Sequence, residues 1–126
     1  MKKRILIIDD DAILAEQMGE ALENGGYDVE HVSEGEAGYS RAEECAFDLC
    51  LIDYKLEHVT GADILKKIKK QSPHCRAIIL TGKPNVKQAL EKEGAGDLAD
   101  AIIQKPFKVP ELLQKIEEMC GEVTSH

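Results

Sequence analysis

Short apolar runs punctuate the chain at regular intervals. Ile5-Leu6-Ile7-Ile8, Leu49-Cys50-Leu51-Ile52, Ala77-Ile78-Ile79-Leu80 and Ala101-Ile102-Ile103 are brief, mostly branched and unbroken by polar residues. Such continuity predicts β-strands covered on both faces, as in a parallel sheet. Tyr27-Asp28-Val29-Glu30-His31-Val32 alternates instead and predicts a half-exposed edge strand. The intervening segments carry helical spacing. Leu14, Met18, Ala21 and Leu22 share one face, and Gly25-Gly26 supplies the stop. Ser33 with Glu36 predicts a capping box opening a second helix, and Thr60 with Asp63 one opening a third. A fourth helix is expected near Pro84-Asn85, proline being tolerated in a first turn. In the last helix Leu112, Leu113, Ile116, Met119 and Cys120 form one apolar stripe. Strand and helix therefore alternate five times, predicting one α/β domain over residues 1–126. Its expected core is a doubly wound parallel sheet with helices on both faces.

Composition narrows the class. The 126 residues are 43% apolar and 32% charged, the balance of a folded globular domain. No apolar run approaches the roughly 20 residues of a membrane helix, so a cytoplasmic, membrane-free protein is expected. Sixteen basic against 24 acidic residues leave a net charge of −8, which disfavours direct nucleic-acid binding and favours a basic partner surface or a cation. Cys45, Cys50, Cys75 and Cys120 form no C-x-x-C pair and read as small core residues in a reducing compartment. The scattered histidines lack zinc-ligand spacing, and the low aromatic content does not suit base stacking.

Candidate chemistry lies where an open parallel sheet places it, just beyond the carboxyl ends of the strands. Asp9, Asp10 and Asp11 follow the first run, Asp53 ends the third, Thr81 follows the fourth and Lys105 the fifth. If the strand order is 2-1-3-4-5, the first and third strands lie about 5 Å apart and Asp9 or Asp10 converges on Asp53. Clustered carboxylates need counter-charge, which Lys105 and a divalent cation can supply. Hard oxygen donors suit Mg²⁺. An aspartate beside Mg²⁺ and a lysine can act as a nucleophile toward a phosphoryl group, with the Thr81 hydroxyl bonding the product. Asp11 stands directly before the first helix and reads as its cap rather than a ligand. Lys66-Lys67-Ile68-Lys69-Lys70 reads as a solvated helix face, with docking of an acidic partner as the alternative.

These residues resemble the receiver domain of two-component response regulators over essentially the whole chain. The resemblance rests on Ile5-Leu6-Ile7-Ile8-Asp9-Asp10, on Asp53-Tyr54-Lys55-Leu56 with Gly61, on Ile78-Ile79-Leu80-Thr81-Gly82, and on Lys105-Pro106-Phe107, all in order. It implies a flavodoxin-like fold with strand order 2-1-3-4-5. It further implies that Asp53 accepts a phosphoryl group from a histidine kinase or histidine phosphotransfer protein. Asp10 would bind Mg²⁺ directly, Asp9 mainly through water, and the Lys55 carbonyl would add a ligand. Thr81 would be the switch hydroxyl, Lys105 the phosphate-pairing lysine, and Lys105-Pro106 a cis bond. The implied protein is a signalling module, monomeric or weakly dimeric, that catalyses only its own phosphorylation and dephosphorylation and acts on an output partner the sequence does not name.

A degenerate receiver, binding partners without phosphorylation, is the alternative; the complete set of acids with Thr81 and Lys105 opposes it. A phosphohydrolase of the haloacid-dehalogenase type would need an aspartate where Lys55 stands. Flavin binding would need a phosphate-cradling loop after the first strand. The chain departs from the family at Glu57, where proline is usual, and at Thr60 before the loop glycine. It also departs at Ile102, where tyrosine or phenylalanine is usual, and over Gly94-Ala95-Gly96-Asp97-Leu98-Ala99-Asp100 before the fifth strand. The last two differences bear on output. Ile102 has no hydroxyl to exchange between partners and is expected to stay in place, leaving the response to the Thr81–Asn85 loop and the helix after it.

Overall fold

In the computed structural model, which describes residues 2–120, strands and helices alternate along the chain. They are β1 (Arg4–Ile8), α1 (Ala12–Asn24), β2 (Asp28–Val32), α2 (Gly35–Glu44), β3 (Leu49–Asp53), α3 (Gly61–Gln71), β4 (Arg76–Thr81), α4 (Val86–Lys92), β5 (Ala101–Gln104) and α5 (Val109–Cys120). Met1 and the tail 121–126 lie outside the described residues, as do the ends of the expected 1–126 domain. All strand pairs are parallel, in the order β2-β1-β3-β4-β5. This is the flavodoxin-like α/β arrangement that the sequence implies.

Side chains alternate across the sheet, so each continuous apolar strand feeds two cores. Leu6, Ile8, Cys50, Ile52, Ala77 and Ile79 pack with Ala42, Ile64, Leu65, Ile68 and Leu90 of the α2, α3 and α4 side. Ile5, Ile7, Leu49, Leu51, Ile78 and Leu80 pack with Ala15, Met18, Leu22, Leu112 and Ile116 of α1 and α5. β2 is the partly exposed edge its alternation predicts. Among the described residues no helix is long and apolar enough to cross a membrane.

Two local expectations need correction. Ser33 does not cap α2; that helix begins at Gly35 after an extended Glu34, and Glu34 makes no side-chain cap bond. Packing sets the start, because a Cβ on Gly35 would lie 2.6 Å from Val59 Cγ2 and 2.9 Å from Ile64 Cγ1. Pro84 lies outside α4, whose N-cap Asn85 takes a left-handed φ of 62°. The Lys66–Lys70 run is the solvated face expected, with Lys66, Lys67 and Lys70 exposed, and it also reaches neighbouring elements. Lys66 donates to the Glu93 carbonyl at 2.8 Å, Lys67 pairs with Glu36 at 3.0 Å and Lys69 with Asp100 at 2.9 Å, so α3 is braced against its neighbours. The caps at Asp11 and Thr60 form as expected, accepting from the Leu14 and Asp63 N–H groups at 3.0 and 3.2 Å.

Candidate functional site

Strand register alone assembles the site. Ile8 pairs with Ile52, Asp53 with Leu80, and Thr81 with Gln104. Asp9, Asp53, Thr81 and Lys105 therefore stand side by side on the carboxyl edge of the sheet. The Asp9 N–H continues the ladder to the Val32 carbonyl at 3.2 Å, and the Lys105 N–H reaches the Thr81 carbonyl at 2.6 Å, so both flanking backbones are fixed. The Lys105-Pro106 bond is cis.

Carboxylate oxygens of Asp9, Asp10 and Asp53 lie within 4.8 Å of one another. Asp9 is fully buried, Asp53 is 6% exposed, and Asp10 faces solvent. Lys105 Nζ approaches Asp9 Oδ2 at 3.1 Å and Asp53 Oδ2 at 3.5 Å, one ammonium against two carboxylates. That imbalance shows in the acidities. Burial, then repulsion from Asp9, pushes the Asp53 carboxyl up to about 6 against the pull of Lys105. Desolvation lowers the Lys105 ammonium, but the Asp53 and Asp9 charges outweigh it and hold the group above its ordinary value.

The three acids are not equivalent. Asp9 has both carboxylate oxygens engaged, Oδ1 by the Asp11 N–H at 2.9 Å and Oδ2 by Lys105. Its carbonyl also lies 2.8 Å from His31 Nε2. Asp10 opens on a cleft of about 400 Å³ lined by Asp53, Lys55, Glu57, Gly82 and Lys105. An exposed carboxylate, a second one short of counter-charge and a neighbouring backbone make an all-oxygen donor set that fits a hard divalent cation. Asp11 borders the same cleft, but its side chain caps α1.

The β3–α3 loop holds Lys55 at this edge. His58 turns through a φ of 71°, Lys55 bridges Thr60, and the Gly61 N–H returns to the Tyr54 carbonyl at 2.7 Å. A Cβ on Gly61 would sit 2.6 Å from the Asp53 carbonyl oxygen, so glycine is required at this approach. Thr81 is buried beside Asp53, and its Oγ1 accepts from the Lys83 N–H at 2.9 Å. Its hydroxyl closes its own loop.

Sequence reasoning did not find Tyr54 and Glu93. The Tyr54 hydroxyl donates to Glu93 Oε2 at 2.5 Å, and Thr60 Oγ1 donates to Oε1 at 3.3 Å, linking the residue after Asp53 to the end of α4. The Glu93 bond, then burial, raises the Tyr54 phenol to about 12. Their separation of 39 residues left no pattern to detect. Ile102 is partly buried against the core on the α2, α3 and α4 side.

Comparison with known proteins agrees with this geometry. Residues 5–117 match the response regulator receiver domain family. The response regulator receiver protein CpdR of Brucella abortus is 30% identical over 117 residues, 93% of this chain and 96% of that relative. Several other curated relatives are longer, and the chain spans about half their length. A CheY-like receiver domain from Methanospirillum hungatei superimposes with a TM-score of 0.87 at 36% identity, covering 95% of this chain and 94% of that one. TrrA of Thermotoga maritima, solved in complex with Mg²⁺-BeF, gives 0.81 at 25% identity, covering 93% and 98%. Strand order, the acidic edge and these matches place the chain in the response regulator receiver domain family, in two-component signalling.

Proposed function

We propose that Asp53 accepts a phosphoryl group from a phosphohistidine on a histidine kinase or histidine phosphotransfer protein, in a Mg²⁺-dependent reaction in the cytoplasm. The observation that carries this reading is the convergence of three carboxylates, Asp9, Asp10 and Asp53, of which the Lys105 ammonium pairs with Asp9 and Asp53. The TrrA structure, solved in complex with Mg²⁺-BeF, supports a divalent cation and a phosphoryl-like ligand by analogy.

An Asp53 carboxylate oxygen attacks phosphorus, the P–N bond breaks with its electron pair going to the ring nitrogen, and the imidazole, protonated from solvent on its other nitrogen, leaves as the neutral ring. Bound Mg²⁺ supplies positive charge toward the phosphoryl oxygens. Asp10, exposed to solvent in the cleft, would hold the cation directly, together with Asp53 and the Lys55 carbonyl. Asp9, already engaged at both oxygens, acts through water and holds Lys105 in place. Lys105 pairs with a phosphoryl oxygen and offsets its charge. The Thr81 hydroxyl, whose oxygen accepts from the Lys83 N–H, donates its own proton to another phosphoryl oxygen and so couples the bound group to the β4–α4 loop.

The donor's docking surface adjoins the site. A groove of about 560 Å³ between α1 and the β5–α5 loop is lined by Ile13, Leu14, Gln17, Lys105, Pro106 and Phe107. Ile13 is 74% exposed there, an apolar contact next to the acids for a helical partner. NMR titration with beryllofluoride and Mg²⁺ tests the reading. Saturable shifts at Asp53, Thr81 and Lys105 are expected, and their absence would favour the phosphorylation-independent alternative.

A further inference from the structure

Away from the acidic edge, two cysteines distant in sequence meet in the core. Cys50 lies fully buried in the middle of β3, and Cys75 stands in the turn between α3 and β4. Their sulfurs are 3.5 Å apart, and the four cysteines are all free thiols. Pairing of Cys50 with Ala77 in the ladder brings the turn that carries Cys75, two residues before Ala77, alongside β3. A disulfide needs roughly 2.05 Å between sulfurs, an approach that side-chain rotation and a small shift of the turn can supply.

We infer that Cys50 and Cys75 are an oxidisable dithiol, converted by a peroxide to an intramolecular disulfide. Cys75 is the sulfur that meets the oxidant. It retains 4% exposure against none for Cys50; its N–H donates to the Ser72 carbonyl at 3.0 Å and its thiol to the Arg76 carbonyl at 3.4 Å. The Cys50 hydrogen bond lowers the Cys75 thiol, with help from the Lys69 ammonium and against burial and the Asp48 and Asp100 charges. Cys50 is raised by the same bond and by burial; its complete burial, against the slight exposure of Cys75, makes Cys75 the attacking sulfur and Cys50 the resolving one.

The Cys75 thiolate attacks one peroxide oxygen, and the O–O bond breaks to give Cys75 sulfenic acid and one molecule of alcohol or water. The Cys50 thiol, losing its proton, attacks the sulfenic sulfur and expels water. Two electrons pass from the thiols to the peroxide, and the balance is two thiols plus ROOH to disulfide, ROH and water. The new bond closes the 50–75 segment, which carries Asp53, the β3–α3 loop and α3. Oxidation would thus staple the acceptor's own support, an input separate from phosphoryl transfer.

The test uses the full chain as Cys45→Ser/Cys120→Ser, which leaves only this pair. After hydrogen peroxide and alkylation in denaturant, the intact mass should lose two hydrogens and take up no alkyl group. Peptide mapping should return a Cys50–Cys75 link that a reductant removes. Addition of Asp53→Asn should leave oxidation unchanged, which separates this result from any failure of the phosphoryl-acceptor reading. In Cys50→Ala, Cys75 should be trapped by dimedone as sulfenic acid. Two alkylated thiols after peroxide, sulfinic acids in place of a link, or a Cys75–Cys120 link in the unsubstituted chain would overturn the inference.

Discussion

Replacing Asp53 by asparagine should stabilise the fold at neutral pH. Asp53 is buried beside Asp9 and shares one ammonium with it, and its carboxyl is pushed from 3.8 to about 6. A raised carboxyl binds its proton more tightly in the folded chain than in the unfolded one. Its contribution is therefore complete below pH 3.8 and is lost as pH rises through about 6. Above that window the folded state carries an ionised Asp53 at a cost. The rise from 3.8 to about 6 corresponds to at most about 3 kcal/mol, at roughly 1.36 kcal/mol per pH unit. Asparagine also takes one partner from Lys105, so a gain of about 1–2 kcal/mol at pH 7 is expected. Urea unfolding of both proteins from pH 3.5 to 7.5, with chelator present, should show the variant's advantage growing through the window. Saturating Mg²⁺ should then narrow the gap, since ligand at 100 times its Kd stabilises the native state by about 2.7 kcal/mol. A variant less stable than the parent at pH 7, or a gap that does not change with pH, would refute the reasoning.

Gly61→Ala should destabilise the chain by about 1–3 kcal/mol in urea unfolding, because its Cβ would press on the Asp53 and Tyr54 backbone. Asp10→Asn should weaken Mg²⁺ binding, followed by NMR shifts, far more than Asp11→Asn, since Asp11 is held by its capping bond; an equal loss would put the acidic pair one residue out of register. Ile13→Ser should slow phosphoryl transfer from a phosphohistidine protein roughly tenfold while leaving acetyl phosphate labelling unchanged, as expected of a docking contact. Hydrogen exchange with beryllofluoride should alter protection over Thr81–Glu93 and leave Ala101–Ile103 little changed, because partly buried Ile102 gains nothing from exposure.

The architecture was legible because parallel strands covered on both faces leave an unmistakable period. Leu49–Ile52 and Ile78–Leu80 face two cores and can hold no polar residue. The acids were legible for a related reason: a charge immediately after such a strand must sit at the sheet edge. Local signals succeeded where the cap and its acceptor are three residues apart, as at Asp11 and Thr60. They failed at Ser33, where contact of Gly35 with Val59 and Ile64 from another element decided the helix start. Long-range polar contacts were invisible for the same reason. Neither the Tyr54–Glu93 bond nor the pairing of Lys69 with Asp100 follows from spacing, since the fold alone brings these residues together.

The central claim is that Asp53 takes the phosphoryl group and that the acids beside it work through a divalent cation. Intact-mass spectrometry after incubation with acetyl phosphate tests it most directly. With Mg²⁺ the unsubstituted chain should gain one phosphoryl group, labile to hydroxylamine, and chelator should abolish the gain. Asp53→Asn should remain at its starting mass under both conditions. Labelling of that variant at an undiminished rate, or labelling of the parent chain that chelator leaves unchanged, would contradict the account.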